Sequence, residues 1–259
     1  MQLNPLKKKL AEGKPVLGMW SIIPSPTLSE IFGLAGLDFL ILDMEHGPFG
    51  LGELDACVRA CEGAGCSPVV RVPGPNQFVI QSAMDLGVHG VIVPQVLDAT
   101  STRDALRCMK FAPDGIRGYN PFTRAAGYAN AATNQAGKLN NAFALKSIII
   151  ENQTACDSID AILDIEDLDM VYIGVYDLSV AMGCQGNTNH PKVLSFLEKA
   201  VGKTRESGKA AGMMVRSEQE IENALSLGAN FLVYSVDSYF IHRAVGGVVE
   251  SLANLIKKG

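Results

Sequence analysis

The chain has 259 residues, 47% of them hydrophobic, and a formal net charge of −5. That length suits one large α/β domain with a sizeable buried core. The acidic balance, with no basic block and no basic–aromatic interleaving, argues against nucleic acid as a partner, and no apolar run nears the roughly 20 residues that span a bilayer.

The N-terminal "MQLNPLKKKLAEGKP" carries charges with no apolar segment behind them, which is not the pattern of a secretory leader. The six cysteines include no CxxC pair and read as buried thiols of a cytoplasmic chain, not a disulfide scaffold. Cys57 and Cys61 stand one helical turn apart, but no third or fourth ligand at a useful spacing makes a metal site of them.

Short apolar runs then recur: "VLGMWSII" (16–23), "FLILDM" (39–44), "PVVRV" (68–72), "GVIVPQV" (90–96), "SIIIEN" (147–152), "MVYIGV" (170–175), "AAGMMV" (210–215) and "FLVYSV" (231–236). They are continuously apolar, as parallel strands buried on both faces are. Amphipathic stretches such as "NQFVIQSAMDLG" and "SEQEIENALSLGA" lie between them, several closed by Gly as helix C-caps are. Eight such units in about 250 residues predict a TIM (β/α)8 barrel, a single domain over 1–259. A doubly wound sheet is the rival, but no GxGxxG follows the first strand and no P-loop occurs. One connection, 112–146, is long enough to be functional or an arm to another subunit. Its Gly/Pro-broken first half holds Arg117 and Arg124, and its Ala/Asn-rich half is expected to be helical.

Barrel active sites sit at the C-terminal ends of the strands. Those ends supply Trp20, then Asp43, Glu45 and His46, then Arg71, Gln95, Glu151, Asp177 a little beyond strand six, and Ser235 with Asp237. Each has a plain structural reading. Glu151 could cap a helix beginning near Thr154, and Asp177 could be an N-cap. Arg71 could pair structurally with an acid, and His46 could be a turn histidine. Together they put many polar groups on one barrel face, which calls for a ligand. Two carboxylates with few His or Cys nearby favour a hard cation such as Mg²⁺ or Mn²⁺. An arginine holds a planar anion, and a histidine moves protons near neutral pH. The set suits a small oxo acid and an enolate. No lysine lies at a strand end, which disfavours a Schiff base.

At "FLILDMEHGPFG", "PVVRV", "MDLGVHGVIVPQV", "APDGIRG", "IIIEN", "VYIGVYDLS" and "SGKAAGMM" the chain resembles the metal-dependent class II pyruvate aldolases of the 4-hydroxy-2-oxoheptanedioate aldolase (HpcH/HpaI) family. The resemblance runs from "GMW" at 18–20 to the last strand. It implies a lyase that cleaves a 4-hydroxy-2-oxo acid to pyruvate and an aldehyde through an enolate. It implies a divalent cation (Mg²⁺, Mn²⁺ or Co²⁺) on Glu151 and Asp177, and Arg71 on the pyruvate carboxylate and enolate oxygen. His46 becomes the acid/base supported by Asp85, Trp20 lines the pocket, and backbone amides near Tyr176 and Asp177 help to bind pyruvate. Asp43 is implied to act across a subunit boundary, in a trimer of dimers that exchanges the C-terminal helix between neighbours. Two positions depart from the family pattern: Ile149 replaces a Gln, and Val175–Tyr176 replaces Pro followed by Ala or Ser. An acyl-CoA lyase of the citrate or malyl-CoA type, and a non-catalytic binding barrel, are the alternatives.

Overall fold

The computed structural model describes residues 4–129 and 141–257. Eight parallel strands close into a barrel in chain order. They are β1 (Val16–Ser21), β2 (Phe39–Asp43), β3 (Ser67–Arg71), β4 (Gly90–Val93), β5 (Leu145–Ile150), β6 (Met170–Ile173), β7 (Ala210–Val215) and β8 (Phe231–Val236). Helices follow each strand, and all but the last pack on the outside. Among the described residues no helix is long and apolar enough to cross a membrane. Five of the six cysteines are buried and free, and Cys184 is half-buried.

Strand side chains alternate between two cores. Leu40, Leu42, Val70, Ile148, Val171 and Ile173 face the helices. Phe39, Ile41, Val69, Ile92, Leu145, Ile149, Met170, Tyr172, Phe231 and Val233 fill the barrel. Phe39 and Phe231 stack at 4.0 Å between ring centroids. Gly18 makes room for them, because a Cβ there would lie 2.3 Å from the Phe39 ring. The helix Pro5–Ala11 seals the N-terminal end with Leu6, which is buried in the inner core. Asn4 anchors that seal, donating to the carbonyls of His89 at 2.6 Å and Phe143 at 2.8 Å while accepting from Leu6 N.

The long fourth connection holds a short 3-10 helix, Arg124–Ala126. The helix expected in its Ala/Asn-rich half falls largely on residues 130–140, outside the described residues. The last helix, Asp237–Ile256, buries only Asp237. Val245, Val248, Val249, Leu252, Leu255 and Ile256 are exposed along it.

Candidate active site

The inward parity of the strands assembles the site. Asp43 is two residues beyond Ile41, Arg71 two beyond Val69, Glu151 two beyond Ile149, and Trp20 lies on the inner face of β1. Each continues the barrel-filling row of its strand past the point where the apolar core stops. Asp43 and Arg71 are also direct cross-strand partners. With His46, Tyr172, Gly174, Tyr176 and Asp177 they line a cavity of ≈380 Å³ at the C-terminal end of the barrel. Ile22, Met214, Val236, Ser238 and Tyr239 complete it.

Arg71 is the hub. Its Nε donates to Asp43 Oδ1 at 2.8 Å, and its Nη2 donates to Asp43 Oδ2. Nη1 stands 2.9 Å from Glu45 Oε2. The guanidinium lies over the Trp20 ring, 4.4 Å from its centroid, a cation–π contact that holds it flat across the pocket floor. Burial opposes the charge on Arg71, but the Asp43 hydrogen bond and the charges of Asp43 and Glu45 prevail and lift its pKa above the ordinary arginine value. Asp43 takes two of the five guanidinium N–H donors, so donors on both terminal nitrogens are left for a bound anion. Trp20 Nε1 donates to the Tyr172 hydroxyl at 3.2 Å, and the two rings meet edge to face.

Glu151 is buried immediately after β5. Its Oε1 accepts from the backbone N of Gln95 at 2.7 Å, and the Gln95 side chain donates to Glu45 Oε1 at 2.8 Å. Gln95 reaches both carboxylates from a left-handed backbone, φ 60°, a conformation that costs a non-glycine residue energy and gathers at functional sites. Burial pushes the Glu151 carboxyl up to about 7; the Gln95 amide lowers it, the charges of Glu45 and Asp177 raise it, and Arg71 lowers it. Gly174 lets β6 end against this carboxylate, since a Cβ there would stand 2.9 Å from both the Glu151 Cβ and the Ile149 Cγ2 methyl.

Asp177 sits exposed in the first turn of the helix Val175–Ala181. It is not that helix's cap, because Gly174 holds the N-cap position. Neither does Glu151 cap the helix after β5; Asn152 does, accepting from Ala155 N at 2.9 Å. Both structural readings of these acids therefore fail. His46 lies in the turn after β2, exposed, with its backbone N held by Asp43 Oδ1 at 3.3 Å. Its imidazole has no hydrogen-bond partner among the described residues.

Two expected placements differ, those of Asp85 and Asp237. Asp85 is the last residue of the helix Gln77–Asp85, and its Oδ1 accepts from Arg117 Nη2 at 2.6 Å. A helix running back from the top of a barrel strand ends at the bottom, so within this chain Asp85 does not meet His46. Asp43 holds its own chain's Arg71 and lines the same cavity. Asp237 is spent on structure: its carboxylate accepts from Ser21 Oγ at 2.8 Å, Ile22 N at 3.2 Å, Ile23 N at 3.1 Å and Ser238 N at 2.6 Å.

A family model described as HpcH/HpaI aldolase/citrate lyase matches residues 16–244. The chain belongs to that family. Among relatives of this HpcH/HpaI-family barrel, a 4-hydroxy-2-oxo-heptane-1,7-dioate aldolase of Escherichia coli is 34% identical over 241 residues, covering 93% of this chain and 92% of its own. A hydroxypyruvate/pyruvate aldolase of Roseobacter denitrificans is 32% identical, covering 91% of each. The crystal structure of an HpcH/Hpal aldolase/citrate lyase family protein from Burkholderia cenocepacia J2315 superposes with a TM-score of 0.90 at 25% identity, over 96% of this chain and 99% of that one.

Glu45, Gln95 and Tyr172 join this cluster through Arg71, Glu151 and Trp20. The strand-end rule reaches Glu45 and Gln95, but the link from Glu45 to Glu151 runs through Gln95 and depends on its backbone turn. Tyr172 was open to the parity argument, since it shares the inner face of β6 with Met170.

Proposed function

We propose that the chain is a divalent-metal-dependent aldolase that cleaves a 4-hydroxy-2-oxo acid to pyruvate and an aldehyde. One observation carries the reading most: a buried Glu151 carboxylate faces two further acids, Glu45 and Asp177, across a pocket whose one guanidinium is already shared. A buried carboxylate that faces two like charges is stabilised by a cation.

Among the described residues no group of three or more His, Cys, Asp or Glu side chains is arranged to hold a metal. The fit is therefore to a hard ion on Glu151 and Asp177 that keeps positions open for water and substrate. Bound there, a Mg²⁺, Mn²⁺ or Co²⁺ ion would act as a Lewis acid toward the 2-oxo group. Arg71 binds the substrate carboxylate and faces the oxygen on which negative charge develops. Trp20 and Tyr172 keep that guanidinium desolvated and in place. His46, free at its ring and exposed to the pocket, takes the proton of the 4-hydroxyl as the C3–C4 bond breaks. The aldehyde leaves toward Ile22, Met214, Val236 and Tyr176. Ile149 presents a methyl where the family pattern has an amide, so Arg71 carries a larger share of oxo-acid binding.

The assembly belongs to the same reading. The exposed apolar face of the helix Asp237–Ile256 must be covered, and Ile31 and Leu34 are exposed on the helix after β1, beside the place an eighth barrel helix would take. A neighbour's last helix covers such a patch if the helix is exchanged, which favours a homo-oligomer, a trimer of dimers. Support of His46 by Asp85 would then have to cross between copies. We place the protein in the cytoplasm.

Pyruvate release from 4-hydroxy-2-oxo acids, assayed with and without added cation, tests the reading. Metal-dependent release supports it. An acyl-CoA lyase would instead require the thioester, and a binding barrel would turn over nothing.

A further inference from the structure

The wall we assign to the departing aldehyde carries Ile22, Met214 and Val236 with Ser238, Tyr239 and Tyr176, and Tyr176 is 46% exposed. Its phenol is not a passive filler. Arg216 follows β7 directly, and its guanidinium is pinned by Glu220: Nε lies 3.2 Å from Oε2 and Nη2 lies 3.0 Å from Oε1. The Arg216 backbone N donates to the same carboxylate at 2.8 Å. The remaining nitrogen, Nη1, donates to the Tyr176 hydroxyl at 3.2 Å.

A guanidinium only donates. It therefore occupies a lone pair of the phenol oxygen and turns the phenol proton away from itself. No side chain or backbone oxygen among the described residues accepts that proton, so it is left for the cavity that Tyr176 lines. A charged donor on the oxygen also strengthens the O–H as a donor in turn. We propose that Arg216 sets Tyr176 as a dedicated hydrogen-bond donor in the aldehyde half of the pocket, selecting acceptor aldehydes that carry an oxygen next to the carbonyl. The inference rests on the aldolase reading and names the substrate class of its second subsite. Arg216 is here a positioning residue, acting through the phenol.

The test compares two aldehydes of nearly equal size, glycolaldehyde and propionaldehyde, which differ by a hydroxyl for a methyl. Each is condensed with pyruvate by the Mn²⁺-loaded protein, and the ratio of kcat/KM values is followed. Comparing that ratio between variants removes the intrinsic reactivity of the aldehydes and any loss of folded protein. Tyr176→Phe should lower the ratio about tenfold, the order of one neutral hydrogen bond. Arg216→Met should lower it about threefold, because the phenol keeps its proton but loses its orientation. An unchanged ratio in Tyr176→Phe, or a ratio that rises in Arg216→Met, overturns the proposal. Wild-type protein that condenses neither aldehyde overturns the aldolase reading itself and with it this subsite.

Discussion

At the end of the barrel sealed by the helix Pro5–Ala11, buried or half-buried lysines are each met within the chain. Lys7 pairs with Asp169 at 2.9 Å and donates to the Ala142 carbonyl at 3.0 Å, Lys110 pairs with Asp167, and Lys209 donates to the Ile165 carbonyl at 2.8 Å. At the opposite end Asp43, Glu45, Glu151 and Asp177 surround one guanidinium, Arg71. Burying charge is costly at either end unless a partner answers it. At the sealed end the partners are built in, so the chain completes its own electrostatics. At the open end the acids outnumber the cation, and the balance is left to a bound ion and an oxo acid. The contrast teaches that the site is recognisable as unfinished structure, not as a particular residue type.

The contrast breaks most visibly if the cation is withheld. Chelation should lower pyruvate release by ~10³-fold or more, the order of several kcal/mol of charge stabilisation, and Mn²⁺, Co²⁺ or Mg²⁺ should restore it. Undiminished turnover after exhaustive chelation would mean that the acids at the open end need no ion. Arg71→Ala comes next. It should slow both aldol cleavage and oxaloacetate decarboxylation by ~10²–10³-fold, because both reactions place charge on the same oxygen. His46→Ala should slow aldol cleavage by ~10²-fold and decarboxylation far less, since no hydroxyl proton moves in that reaction. Parallel losses with metal content unchanged would make His46 a binding group and not an acid/base.

Stability separates the two ends by sign. In chelator-treated protein at pH 8, Glu151→Gln should raise stability by ~1–2 kcal/mol, because it removes a buried charge facing two others. Leu6→Ala at the sealed end should lower stability by ~2–4 kcal/mol while kcat/KM stays within about twofold. Thermal melts of both variants beside the wild type check this, and a destabilised Glu151→Gln would make Glu151 a structural acid.

Much of this was open to reading in the chain itself. The spans 210–215 and 231–236 are strands β7 and β8 without adjustment, because continuous apolar runs between Gly-closed helices leave little choice. Trp20, Asp43, Arg71 and Glu151 follow from the strand-end rule, since a period of two and a buried inner face fix where each points. What escaped depends on tertiary geometry. The Gln95 amide reaches Glu151 only through a left-handed backbone that its sequence does not announce. Asp85 lies in a family motif, but a helix carries it to the far end of the barrel, where Arg117 claims it. Arg216 and Tyr176 are forty residues apart in sequence and meet only because β6 and β7 are neighbours in the barrel.

The central claim is that the open end holds one cation on Glu151 and Asp177, and that the oxo acid binds through this ion and Arg71. Calorimetric titration of Mn²⁺ and then pyruvate into chelator-stripped protein tests it most directly. The account predicts one Mn²⁺ per chain in the wild type, loss of that binding in the Glu151→Gln/Asp177→Asn variant, and pyruvate binding only after the metal. In Arg71→Ala, Mn²⁺ binding should persist while pyruvate binding weakens at least tenfold. Stoichiometric Mn²⁺ binding retained by the double variant, or pyruvate bound equally well without metal, would contradict it.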